Sequence, residues 1–393
     1  MSDRVYLDWN ATTPLRPEAR QAMAAGWEIS GNPSSVHTEG RQARRLVEDG
    51  RAAVAAAVAA KPQDVVFCSG GTEANALALR GAVAGALDAD DRLTRLFITA
   101  TAHDSVRATA TALTETTAGL KLTEVPVDEN GRIVPEHFRS LLMNGKGRVL
   151  VSLIFANNET GVIEDIAALA SILRSEGGES ALLHVDAVSS GYSPIRFSAW
   201  GADYLSLAAH KIGGPQGVGA LIAKDTAPLA PLFAGAQEMR RRAGTQNVPG
   251  IAGFGAAARA LQANFDTESH AVAEIRQHFE VALRHLAPNA VIFGADELRQ
   301  KNVCCFAIPQ LQAENALMAL DLDGFAISSG AACSSGKVGP SHVLAAMDVP
   351  DSLSRCALRV SFGPDFSLLA MNDFFAALKT LLGRKLSLAA GGA

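Results

Sequence analysis

Short apolar runs that break off into polar or glycine-rich turns recur along this chain, and helical stretches separate most of them. No other feature constrains the fold as strongly. The run at 65–68 (Val65-Val66-Phe67-Cys68) stops at Ser69-Gly70-Gly71, and an Ala/Leu-rich stretch from 73 to about 87 follows as a helix. Runs at 96–99, 149–154, 182–185, 204–207 and 218–223 repeat the pattern. Alternation of this kind predicts a mostly parallel sheet covered by helices on both faces.

The chain has 393 residues, 48% of them hydrophobic and 19% charged, so it can bury a core larger than one small domain needs. Helical apolar spacing from 256 to 285 links the first region to a second one. Shorter strands are expected there at 303–308, 325–328 and 357–362, with a frayed tail over 386–393. A formal net charge of −5 gives no general attraction to nucleic acid or to an anionic membrane. The N-terminal residues show no basic stretch leading into an apolar run, and no apolar run approaches a membrane span. A cytoplasmic protein is the expectation. Five cysteines without a Cys-x-x-Cys pair argue against a structural zinc site, and no metal is expected. Four of the five read as small buried residues.

In open α/β sheets ligands bind beyond the carboxyl ends of the strands. The residues placed there are Ser69-Gly70-Gly71-Thr72-Glu73, His103-Asp104, Asn157-Asn158-Glu159, Asp186 and His210-Lys211. A Gly-Gly-Thr turn at a helix start suits a phosphate, although many such turns hold nothing. It is neither a Walker loop nor a dinucleotide fingerprint. A lone Asp after a strand is ordinarily a cap; here Asp186 is also placed to pair with a protonated ring nitrogen. Lysines are ordinarily solvated. Lys211, at a strand end before a glycine-rich turn, is a candidate Schiff-base lysine, because burial lowers an amine's pKa. A phosphate cradle, a carboxylate for a ring nitrogen and such a lysine together describe a site for pyridoxal 5'-phosphate.

At this point the chain resembles the cysteine desulfurases, pyridoxal-phosphate enzymes of fold type I related to class V aminotransferases. The shared segments include Asn10-Ala11-Thr12-Thr13-Pro14, Ser69 through Asn75, Asn157-Asn158-Glu159-Thr160-Gly161, His184-Val185-Asp186-Ala187, His210-Lys211 and Arg242-Ala243-Gly244-Thr245. The most specific is Ser328-Ser329-Gly330-Ala331-Ala332-Cys333, which resembles the long-loop group. The resemblance implies an α/β fold. Its large domain, 15–255, holds a mostly parallel seven-stranded sheet covered by helices and binds the cofactor. Residues 1–14 and 256–393 form a smaller α+β domain carrying the cysteine loop. It further implies conversion of L-cysteine to L-alanine, with the sulfur passing as a persulfide on Cys333 to an acceptor for iron–sulfur cluster or thio-cofactor biosynthesis. Lys211 would hold the cofactor, Asp186 pair with its ring nitrogen, and His103 stack on the ring and shuttle protons. Asn158 would contact the ring or the substrate carboxylate, and Gly71, Thr72 and His210 the phosphate. Arg359 would bind the substrate carboxylate; an arginine in a strand is otherwise a structural ion pair. Thr245 would reach the phosphate of the other subunit of a homodimer. A sulfur-acceptor or iron–sulfur scaffold protein is the implied partner.

Two positions depart from the pattern. Ser189 stands where many relatives have a glutamine toward the ring oxygen, and Ala208 where many have a phosphate-binding serine. The cofactor cradle is therefore thinner, and partial loss of cofactor on purification is expected. Alternative readings are a selenocysteine lyase or aminotransferase on the same scaffold, and a non-catalytic sulfur-assembly scaffold. The Ser-Ser-Gly-x-x-Cys segment argues against an aminotransferase, which has no use for the cysteine.

Overall fold

A computed structural model describes residues 4–89, 91–329 and 341–390, the last seven by backbone alone. After β1 (Val5–Tyr6) the chain lays down β2 (Val65–Cys68), β3 (Leu93–Thr99), β4 (Lys121–Val125), β5 (Arg148–Ile154), β6 (Leu182–Asp186), β7 (Tyr204–Ala208) and β8 (Gly219–Ala223). The last seven form one sheet in the order β2-β8-β7-β6-β5-β3-β4. Only β8 runs antiparallel to its neighbours. The carboxyl ends of the other six therefore share one edge.

The central strands read as unbroken apolar runs because both faces are covered. Leu77, Leu79, Val106 and Leu113, from helices Gly71–Asp88 and Asp104–Thr116, pack on one face. Val54, Phe138, Leu173 and Phe254 belong to the core on the other. The sequence reading misses β4, and the reason is its position. It is an edge strand, exposed at Lys121 and Glu124, so it carries no continuous apolar run. It also starts β3 three residues late, because Arg95 interrupts the run. That guanidinium is buried and donates to the carbonyls of Leu142 and Gly147 at 2.8 and 3.0 Å.

The linking helix spans Val248–Leu286, 39 residues and about 58 Å at 1.5 Å per residue. It begins eight residues before the expected start. Asn247 caps it by accepting from the amide of Gly250, and Pro249 sits in its first turn. Its first half packs under the large sheet, while Phe279 and Leu283 enter a second core. There β9 (Val291–Ile292), β10 (Val303–Ala307), β12 (Ser328–Ser329) and β13 (Ala357–Ser361) form a sheet in the order β12-β13-β10-β9. The expected strand at 325–328 is two pieces. β11 (Phe325–Ala326) pairs with β1, and the chain then changes sheet, so that Ser328 lies opposite Arg359. The final helix, Leu368–Ala390, runs through Gly383 and overruns the expected tail.

One segment ties these parts together at the strand edge. Residues 8–16 leave β1, hydrogen-bond Ser361 through the amide of Trp9, and cross to the lysine turn. There the amides of Thr13 and Arg16 donate to the carbonyls of His210 and Gly213, both at 2.9 Å.

Candidate active site

A cavity of about 340 Å³ opens at the shared carboxyl edge. Gly71, Thr72, His103, Asn158, Asp186, Ser189, His210, Lys211 and Arg359 all line it. These nine expected residues come from six separate segments. Thr245 does not line it; it is exposed beside a different pocket, near Ser69 and Gly217. Cys333 lies outside the described residues. Described residues on either side of its segment lie in or near the site. Ser328 lines the cavity, Ser341 donates to Glu159 at 2.5 Å, and His342 Nε2 bonds the carbonyl of Ala102 at 3.0 Å. Glu159, next to Asn158, is buried, and burial raises its pKa to about 7.

At one end, Gly70 caps the helix Gly71–Asp88 with φ 158° and ψ −178°, a region open in practice to glycine alone. A Cβ at Gly71 would stand 2.6 Å from Val188 Cγ2, so only glycine lets the helix start lie against this turn. The helix N-terminus and the hydroxyl of Thr72 thus face the cavity without a side chain in front of Gly71. An anion fits there. Beside it, burial and the neighbouring Lys211 push the pKa of His210 down to about 4. Its ring is therefore neutral at ordinary pH and offers an anion a hydrogen bond, not a charge. Its Nδ1 meets Thr12 Oγ1 at 3.1 Å.

Asp186, at the end of β6, is buried. Its Oδ1 accepts from the amide of Val188 at 3.0 Å, the turn-capping use that a lone Asp ordinarily has. Its Oδ2 accepts from Asn75 Nδ2 at 2.8 Å. Two donors hold the carboxylate in place at the cavity wall. A protonated ring nitrogen is the partner such a group suits.

Lys211 Nζ donates to the carbonyl of Asn10 at 2.6 Å. Asn10 Nδ2 in turn donates to the carbonyl of Asn158 at 2.6 Å. The same carbonyl accepts from Arg359 Nη1 at 2.8 Å, while Arg359 Nη2 pairs with Asp8 Oδ1 at 2.6 Å. Arg359 is thus a buried ion-pair member, as a strand arginine ordinarily is. Yet its Nε is buried with no hydrogen-bond partner among the described residues. A guanidinium that lines the cavity and is held in place by two contacts is equipped to take a further carboxylate. A phosphate-sized cradle, a carboxylate and an amine around one cavity fit pyridoxal phosphate.

Asp8, Asn10, Asn75 and Ser105 line the cavity too, but their roles were not evident from the sequence. Asp8 and Asn10 lie some 200 residues before Lys211; Asn10 falls in a shared segment, but nothing local gives either a role. Asn75 had a signal, since it follows Thr72 by three residues and therefore shares its helix face. Cys68, Cys304, Cys305 and Cys356 are buried thiols, as expected. Burial raises the pKa of Cys68 and Cys305 to about 12 and that of Cys304 well above its ordinary value. These three are held as thiols and are poor nucleophiles.

Comparison with known proteins agrees with this geometry. The class-V aminotransferase family model matches residues 5–367. A cysteine desulfurase of Cereibacter sphaeroides is 41% identical over 365 residues, 91% of this chain and 90% of that protein. The cysteine desulfurase IscS of Dictyoglomus turgidum is 37% identical over 366 residues, 92% of this chain and 90% of its own. A solved structure of a NifS-like protein superposes with a TM-score of 0.88 at 29% identity, covering 97% of this chain and 99% of that one.

Proposed function

The chain belongs to the class-V aminotransferase family and is a cysteine desulfurase, and from that premise we propose a role for each residue of the cavity. Pyridoxal phosphate is the cofactor. Lys211 carries it, and Asp186 holds the ring nitrogen protonated. The amide of Gly71, the Thr72 hydroxyl and the neutral His210 ring hold its phosphate. Ser189 would serve the ring oxygen and His103 the ring face, since both line the cavity.

When bound, the cofactor takes up the electrons released at the substrate's α-carbon. Arg359 binds the carboxylate of L-cysteine, with Asn158 alongside. Asp8 and the Asn158 carbonyl keep the guanidinium oriented. Lys211, with its amine free, would be the base for the α-proton, and the Asn10 carbonyl gives its ammonium a resting partner. Cys333 takes the sulfur as a persulfide and passes it to an acceptor protein for iron–sulfur cluster or thio-cofactor biosynthesis. The described residues next to its segment, Ser328 and Ser341, abut the cavity and its wall, which supports delivery of the thiol there.

Thr245 serves the phosphate site of a second copy, which makes the protein a homodimer. Its own exposure outside its own cavity supports this, as do the exposed apolar Phe233 and Met239 on the same loop. Residues 15–255 form the large domain, and 1–14 with 256–393 the smaller one; the separate cores along the linking helix support that division. No described helix is long and apolar enough to cross a membrane. A cytoplasmic protein is the proposed setting. The selenocysteine lyase, aminotransferase and non-catalytic scaffold readings are not favoured.

The observation that carries the reading is the meeting of nine expected residues from six segments around one cavity. Its test is chemical. Borohydride reduction of the loaded protein followed by peptide mapping should place the cofactor on Lys211. In a separate, unreduced sample, L-cysteine should leave a persulfide on Cys333, and none on Cys333→Ala. A cofactor on another lysine, or a persulfide formed at the normal rate by Cys333→Ala, would overturn these assignments.

A further inference from the structure

A chain of hydrogen bonds runs from Asp186 to His103 through two residues with no assigned role. Asn75, 1% exposed, donates from Nδ2 to Asp186 Oδ2 at 2.8 Å and to Ser105 Oγ at 2.9 Å. The carboxylate only accepts, so it fixes which end of the Asn75 amide faces it. Both hydrogens of that NH2 group are then used, and Ser105 Oγ is an acceptor toward Asn75. The Ser105 hydroxyl hydrogen is left for His103 Nδ1, 2.8 Å away. The backbone amide of Ser105 points at the same nitrogen, at 3.1 Å, and an amide has only a hydrogen to give. Two donors converge on Nδ1, so Nδ1 must offer its lone pair, and the ring proton sits on Nε2.

We propose that Asn75 and Ser105 are positioning residues that hold His103 as its Nε2–H tautomer, so that it meets the cavity as a hydrogen-bond donor. Its Nε2 then has no lone pair with which to accept a proton. The proton-accepting work falls to Lys211. The imidazole N–H instead stabilises electron-rich atoms of the bound cofactor or the substrate sulfur. Asp186 and His103, on opposite sides of this chain, are set by one amide. The proposal rests on the cofactor reading given above and assigns the direction of one contact within it.

The test is the tautomer itself, read by long-range proton–nitrogen NMR on protein labelled with ¹⁵N-histidine, cofactor-free and loaded, with His103→Ala to assign the signal. Wild type should show Nε2 protonated and Nδ1 as acceptor in both states. Ser105→Ala should shift the ratio toward the Nδ1–H form by about three- to tenfold, the size of one neutral hydrogen bond, and Ser105→Thr should restore it. Asn75→Ala should shift the ratio too and also alter the cofactor's absorption, because it frees Asp186. A proton on His103 Nδ1 in wild type, or unchanged ratios in both Ser105→Ala and Asn75→Ala, would overturn the proposal. Failure of the cofactor to attach to Lys211 would overturn the cofactor reading alone, since the cofactor-free tautomer is measured independently of it.

Discussion

Two cavities of similar size lie back to back at the carboxyl edge of the large sheet. One, about 340 Å³, holds the lysine, the carboxylate and the arginine. The other, about 370 Å³, is lined chiefly by Val54, Val58, Leu207, Ile212, Phe254 and Phe265. The partition between them is one layer of chain. Asp186 and Ser189 face the first, Ala187 and Ser190 the second, and Val188 touches both. Volume does not separate a catalytic cavity from an apolar one; convergence of polar groups does. Which side each of these residues faces is set by how the chain turns after β6, since neighbours in sequence line different cavities.

The comparison breaks most visibly at Lys211. Lys211→Ala should lower sulfur release from L-cysteine by at least about a thousandfold, because it removes the group that carries the cofactor and the base together. Residual activity within tenfold of wild type would move the chemistry elsewhere. Next comes Arg359→Lys, which keeps the charge and loses the planar fork. A charge-assisted hydrogen bond contributes about 1.5–3 kcal/mol, so KM for L-cysteine should rise roughly ten- to a hundredfold while the cofactor's colour persists. An unchanged KM would mean that the ion pair with Asp8 is the whole of the arginine's role.

The partition itself is tested at Ala208. It lines the apolar cavity, yet its Cβ lies 3.5 Å from where a Cβ on Gly71 would stand. A hydroxyl added there reaches toward the phosphate end of the polar side. Ala208→Ser should strengthen cofactor binding by about tenfold in a titration of the stripped protein. Equal affinities would show that another group already serves the phosphate. The smallest effect is an absence of charge. Burial and Lys211 both disfavour the His210 cation, so its ring should stay neutral across about pH 5–8 and gain a proton only near pH 4. An NMR titration of the cofactor-free protein that placed His210 near 6.5 would show the polar cavity to be far wetter than its geometry implies.

What the sequence by itself determined was local. The Gly-Gly-Thr turn, Asp186 and the His210-Lys211 pair each sit on a strand end that its own apolar run announces. One rule about strand ends places them together. The cysteine segment marked the chemistry in the same local way. The edge strand β4 and the split at 325–328 escaped, because exposure and a change of sheet leave no apolar period to read.

Only the tertiary structure decided how the site residues are oriented. Asp8 and Asn10 reach Arg359 and Lys211 because residues 8–16 cross between two sheets, a contact some 200 residues long in sequence for Asn10 and Lys211 and 351 for Asp8 and Arg359. The link from Asp186 through Asn75 and Ser105 to His103 needs three different strand ends at hydrogen-bond distance. Hydrogen bonds are short and directional, whereas apolar periodicity records only which face of an element is buried. Side-chain type and burial can therefore be read along the chain, but the partner of each polar atom, and with it the tautomer of a histidine, exists only once the segments have been brought together.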